Sequence, residues 1–165
     1  MNNIKQALVQ LLQKLLTMLN EQLSDQLREK IYETACACIG EDVSPVQGAY
    51  GCAESVNTVV ERAIGVPVGG QYSTYWMYMT LKDSLKWMEV SEGDSEYGDI
   101  IISPTGFGNR KILPNGHVGI LAKGASVMSN NSETSLWEQN YTITTWKERY
   151  GKAGYPVKFY RIFSA

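Results

Sequence analysis

The spacing of apolar residues changes once along this chain, and that change restricts the fold more than any other feature. Through residue 85 apolar residues recur at three- and four-residue steps, the period of a helix. Beyond it they gather into short β-branched runs bounded by Gly, Pro, Asn and Asp, the pattern of strands. Helices first and an antiparallel sheet afterwards is the α+β arrangement.

The helical part opens with a leucine-rich run, residues 4–27, carrying Ile4, Leu8, Leu11, Leu12, Leu15, Leu16, Leu19, Leu23 and Leu27. Gln6, Gln10, Gln13, Lys14, Asn20 and Glu21 interrupt it, so no stretch reaches the roughly 18 apolar residues that a membrane-spanning helix needs. Gln13 and Lys14 also break the apolar centre of a signal peptide, and no small-residue cleavage site follows. Two readings stand: a helix packed on its own domain, or an amphipathic helix that docks on a partner, a second copy or a membrane surface. Ser24 and Asp25 are N-cap residue types, which predicts a second helix from there to residue 39, stopped by Gly40. In it Leu27, Ile31, Ala35 and Cys38 form the apolar face, with Cys36 and Cys38 as small buried residues. After a loop with Pro45, Gly48 and Gly51, another helix runs 52–64 and ends at Gly65 and Pro67. A further one, capped by Ser73 or Thr74, extends through Leu85.

Residues 87–90, 99–103, 117–122, 126–130 and 155–162 read as strands, with a tight turn between the third and fourth. A chain of 165 residues, 44% hydrophobic, supports one ordinary core. We divide it into an N-terminal amphipathic helix, 1–23, and a catalytic domain, 24–165. The net charge of −2 argues against a nucleic-acid partner, and the locally basic stretch 147–161 reads as solvated surface. Three cysteines and one histidine supply neither a disulfide framework nor a zinc site, and no EF-hand loop is present. No metal and no cofactor is expected.

Those same residues point to thiol chemistry. Cys52 stands where a glycine-bearing loop enters a helix, a place where unpaired backbone N–H groups lower a thiol's pKa and hold an oxyanion. His117, the only histidine, begins a strand after an Asn-Gly turn and is the base to match. A third, orienting group is expected on the returning strand. With a two-residue turn at Gly124-Ala125, Gly119 faces Asn130, and Asn130 lies diagonal to His117 on the same face. A one-residue bulge would put Ser129 or Asn131 there instead. Asn130 is the first choice, with Glu138 and Asn131 as alternates. Glu54, Tyr50 and Trp76 are candidates for contact with substrate, alongside Tyr72, Tyr75 and Tyr78, and Gln47 for an oxyanion donor. Asp99 reads as a brace for its strand.

Three blocks carry a resemblance: Tyr50-Gly51-Cys52-Ala53-Glu54, Tyr97-Gly98-Asp99-Ile100-Ile101, and Asn115-Gly116-His117-Val118-Gly119-Ile120-Leu121. In this order they resemble the signature blocks of the CHAP family (cysteine, histidine-dependent amidohydrolase/peptidase), papain-like cell-wall hydrolases of which many are encoded by bacteriophages. The likeness spans about residues 31–162. It implies a papain-like domain with N-terminal helices packed on an antiparallel sheet. It also implies hydrolysis of an amide bond in bacterial peptidoglycan, either N-acetylmuramoyl-L-alanine or a bond in the stem or cross-bridge peptides. Such a protein would be made in the host cytoplasm and act at the wall as an endolysin, or travel in the virion, where the first helix could attach to a phage structural protein. Many members carry a Glu-x-Asn-Trp-like block after the histidine; Glu138-Gln139-Asn140-Tyr141 matches its Glu and Asn, with Tyr for Trp, but lies late. Two other roles remain open on the residues alone: a papain-like protein peptidase or deamidase, and a non-catalytic phage assembly or binding module.

Overall fold

The computed structural model describes residues 2–163. The chain is α+β: helices α1 (Asn2–Ala37), α2 (Cys52–Ile64) and α3 (Thr74–Asp83) precede a six-stranded sheet. The strands are β1 (Trp87–Val90), β2 (Ile100–Ser103), β3 (His117–Ala122), β4 (Ser126–Asn130), β5 (Trp137–Thr142) and β6 (Lys158–Ile162), and a single turn of helix, α4 (Ile143–Trp146), follows β5. Every strand pair is antiparallel, in the order β1-β6-β2-β3-β4-β5.

The sheet is buried on both faces, and the alternation of side chains sorts its residues between two cores. Ile100, Ile102, Val118, Ile120 and Met128 meet α1, α2 and α3. Ile101, Leu121 and Val127 point the other way, onto Trp146, Tyr150, Tyr155 and Phe159 from the segment after β5. This explains why β2 and β3 read as unbroken apolar runs.

Several expectations need correction. The predicted break between two N-terminal helices does not exist, because α1 runs unbroken through Ser24 and Asp25. Neither side chain is free to cap: Ser24 donates to the carbonyl of Ile162, and Asp25 pairs with Arg28. What changes at that point is burial, since the large apolar side chains before Ser24 are exposed whereas Leu27, Ile31 and Ala35 are in the core. Helix α1 stops two residues earlier than expected, with Gly40 at φ 87, and α3 ends at Asp83 rather than Leu85. The last strand begins at Lys158, three residues late. Strand β5 is an addition to the expected set. Its Trp137 is fully buried, donates its indole N–H to the carbonyl of Ala35, and exchanges backbone bonds with Gly40 and Glu41, which ties the edge of the sheet to the end of α1.

The turn between β3 and β4 takes three residues, not two. Gly124 and Ala125 both sit at positive φ, and Ala122, not Lys123, faces Ser126. Every partner down the ladder is displaced by one, and a one-residue slip exchanges the faces of a strand. The basic stretch near the C-terminus is largely paired: Lys147 with Glu92, Lys158 with Glu89, and Arg161 with the buried Asp99.

Candidate active site

A groove of about 500 Å³ opens where the N-terminus of α2 meets the first residue of β3. Cys52, His117, Asn130, Asn131 and Tyr50 all line it, with Gln47 and Tyr72, so most of the residues expected at the site come together. Glu54, Glu138 and Trp76 do not.

Cys52 is the first residue of α2. Backbone N–H groups of Ala53 and Val118 donate to its sulfur, so the thiol lies against the peptide that follows His117. These donors favour the thiolate, as a helix start should. Burial outweighs them and pushes the thiol up to about 11, a reversal of the lowered value expected from sequence. The loop before Cys52 is held from two sides. Glu54 accepts the N–H groups of Val46 and Gln47, at 3.2 and 2.8 Å, so its carboxylate stabilises the loop and is turned away from the groove. Asn130 accepts from the Ser44 hydroxyl and donates to the carbonyl of Gly48 at 2.9 Å.

Asn130 therefore braces the loop before Cys52 and does not touch the imidazole. The one-residue shift in register puts Ser129 on the imidazole's face instead. His117 Nε2 and Ser129 Oγ lie 2.9 Å apart, and Ser129 Oγ donates to Asn140 Oδ1 at 2.7 Å. Ser129 has one proton and gives it to the amide oxygen, so Nε2 must be the donor and Nδ1 keeps the lone pair. Asn140 reaches this place through a β-bulge. Val127 faces Tyr141 and Met128 faces Gln139, which leaves Asn140 as the extra residue between them. Of the alternates, Glu138 and Asn131 bond to each other at 2.8 Å, with Thr134 also donating to Glu138, and they secure the β4–β5 connection.

Three aromatic rings enclose the imidazole: Tyr150, stacked at 5.7 Å between centroids, Trp146 at 5.2 Å and Tyr141 at 5.8 Å. Trp146 is fixed in turn by its indole N–H, which donates to Ser103 Oγ at 3.0 Å. Burial among these rings, with the Arg149 guanidinium nearby, pushes the imidazole down to about 3. Burial thus favours the uncharged form of both the thiol and the imidazole at neutral pH. Gly116 permits the turn into β3, because a Cβ there would collide with the carbonyl oxygen of Ser103.

Tyr50 and Tyr72 stand exposed at the rim, together with Arg149, while Gln47 lies in the wall beside Cys52. Trp76 belongs to a separate shallow depression on α3. Asn140 does not emerge from the sequence as a partner of the imidazole's neighbour Ser129, although it stands in the Glu-x-Asn letters. Nor do Tyr141, Trp146 and Tyr150, which signal nothing until β5 and the segment after it are placed. No group of three or more His, Cys, Asp or Glu side chains among the described residues is arranged to hold a metal ion. The sequence matches no family model and no curated protein.

Proposed function

We infer that this chain is a papain-like hydrolase of amide bonds in bacterial peptidoglycan. One observation carries the reading: the Cys52 sulfur lies under backbone N–H groups at a helix start, against the His117-Val118 peptide, in a groove open to solvent. The order of the three sequence blocks supplies the substrate class.

The chemistry follows from the resting state. With the thiol held protonated, proton transfer accompanies attack: His117 Nδ1 takes the proton as Cys52 Sγ bonds to the carbonyl carbon. The N–H groups at the start of α2 then face the developing oxyanion. Nε2–H stays on Ser129, and the ring charge formed is stabilised by the flanking Tyr150 and Trp146 faces. The imidazolium next protonates the leaving amine, a thioester remains on Cys52, and water activated by Nδ1 hydrolyses it. The exposed tyrosines suit the alternating sugar and peptide character of peptidoglycan. Action at the wall during phage lysis or entry fits that substrate.

The test is a suspension of purified walls. The protein should lower its turbidity and release fragments whose masses name the bond cut, and Cys52→Ala should abolish both with an unchanged circular dichroism spectrum. Full lysis by Cys52→Ala removes the nucleophile. No release from walls, with cleavage of a protein substrate, moves the site to the peptidase or deamidase reading.

A further inference from the structure

The N-terminal half of α1 presents an apolar face that its own domain does not use. Leu8, Leu12, Leu15, Leu16, Leu19 and Leu23 are 42–62% exposed, and Ile4 is 76% exposed. At about 100° per residue, the middle of this face is turned roughly 115° from the middle of the one that carries Leu27, Ile31, Ala35 and Cys38 into the core. The stripe meets the domain contact only at its edge, where Leu23 stands one turn before Leu27, and the rest of it is turned off that contact. Its large apolar side chains, each about half exposed, offer on the order of 1,000 Å², beyond the few hundred Å² a monomer ordinarily leaves open and above the roughly 800 Å² per partner of a specific interface.

We propose that this face assembles with the same face of further copies of this chain, in a bundle of three or more helices. Its width sets the number. Leu8, Leu11, Leu15 and Met18 form one heptad-spaced seam; Leu12, Leu16, Leu19 and Leu23 form another beside it. A two-stranded coiled coil buries one such seam, whereas a helix with two neighbours buries both. The polar side argues against a membrane surface as occupant. Between residues 4 and 23 the charges are Lys5, Lys14 and Glu21, the remaining polar residues are mostly Gln, and no aromatic residue precedes Tyr32. Helices that lie in a lipid interface carry Lys and Arg on the polar face and Trp or Phe among the apolar residues. So near-neutral a surface selects no unlike partner by charge, and identical helices close their contacts by symmetry.

The proposal does not rest on the catalytic reading, and its test uses no activity. Light scattering of the full chain at tens of micromolar should give at least three times the monomer mass of 18.4 kDa. Leu12→Glu with Leu16→Glu should return it to the monomer mass, while Gln13→Glu with Thr17→Glu, on the polar side, should leave the assembly intact. Near-ultraviolet circular dichroism should be the same in all three proteins, because the catalytic domain does not touch this segment. A monomeric wild type overturns the proposal, as does a monomeric wild type that sediments with anionic phosphatidylglycerol vesicles. Dissociation by the polar-side pair to the same extent as by the leucine pair also overturns it. Should the leucine pair fail to fold, Leu15→Gln alone replaces it and must lower the mass at sub-micromolar concentration.

Discussion

A single hydroxyl separates the arrangement expected for the imidazole from the one that exists. Ser129 links His117 Nε2 to Asn140 Oδ1, so it orients the imidazole and acts only through it. Its removal leaves the imidazole ring free to turn among its aromatic neighbours. Ser129→Ala should lower kcat/KM on cell walls about ten- to a hundredfold, the effect of losing an orienting hydrogen bond of about 1.5–3 kcal/mol in the transition state. KM should hardly change. Asn140→Asp sets a carboxylate at the end of the same relay, which should raise the His117 pKa as read by imidazole NMR shifts. An unaltered titration in that variant would show that the relay does not reach the ring. Asn130→Ala gives the opposite pattern: it frees the Ser44–Gly48 loop, so stability should fall by about 1–2 kcal/mol in urea, the cost of two lost buried hydrogen bonds.

Elements whose signals are local are legible in the amino-acid sequence. Helix α2 falls on 52–64 because a glycine-bearing loop precedes it and Gly65 takes φ 80 after it, and β3 falls on 117–122 because its apolar run is bounded by Asn-Gly and Lys-Gly. The meeting of Cys52 and His117 in one groove is readable for the same reason. The site's third member is not, because register depends on the length of one turn, and the third turn residue is an alanine held at φ 57. Nothing about alanine announces a left-handed backbone. The bulge at Asn140 and the existence of β5 are equally hidden, since Glu138-Gln139-Asn140 carries no apolar alternation and its place is set by Trp137 reaching α1. Strain at Ala125 gives a direct check. A left-handed L-residue costs about 1–2 kcal/mol, while glycine adds unfolded-state entropy of about half that. Ala125→Gly should therefore stabilise the protein by about 0.5–1 kcal/mol in denaturant melts, with activity unchanged. A loss of stability would mean that the turn does not have this conformation.

At the scale of the whole molecule the sole histidine gives the folded chain a stability profile that can be read without interference. In the folded state burial holds His117 at about 3, against an ordinary value of 6.5. As pH falls below about 6.5 the unfolded chain binds a proton that the folded chain refuses, so stability declines steadily until pH reaches about 3. Most carboxylates contribute only in the lower part of this window, near their ordinary values of about 4, while Asp99, raised by burial, takes a proton in the folded chain and opposes the histidine's loss. Between pH 6.5 and 5 the histidine acts nearly alone, and the decline should reach about 2 kcal/mol. The thiol works from the other end: with Cys52 held at about 11, stability present below about 9 is lost as pH rises toward 11. His117→Gln should flatten the acid limb and leave the alkaline one in place, and Cys52→Ala should lessen the alkaline loss, which Cys38 and the buried Tyr150 and Tyr160, also raised by burial, share, as measured by urea unfolding across pH. Stability slopes alone do not discriminate the resting state, because a thiolate–imidazolium pair holds the same one proton as a neutral pair. The imidazole NMR shifts do: a preformed ion pair gives a charged ring at pH 7 that becomes neutral in Cys52→Ala, whereas a neutral pair gives a neutral ring in both proteins. A neutral ring requires a mechanism in which the base takes its proton only as the sulfur attacks.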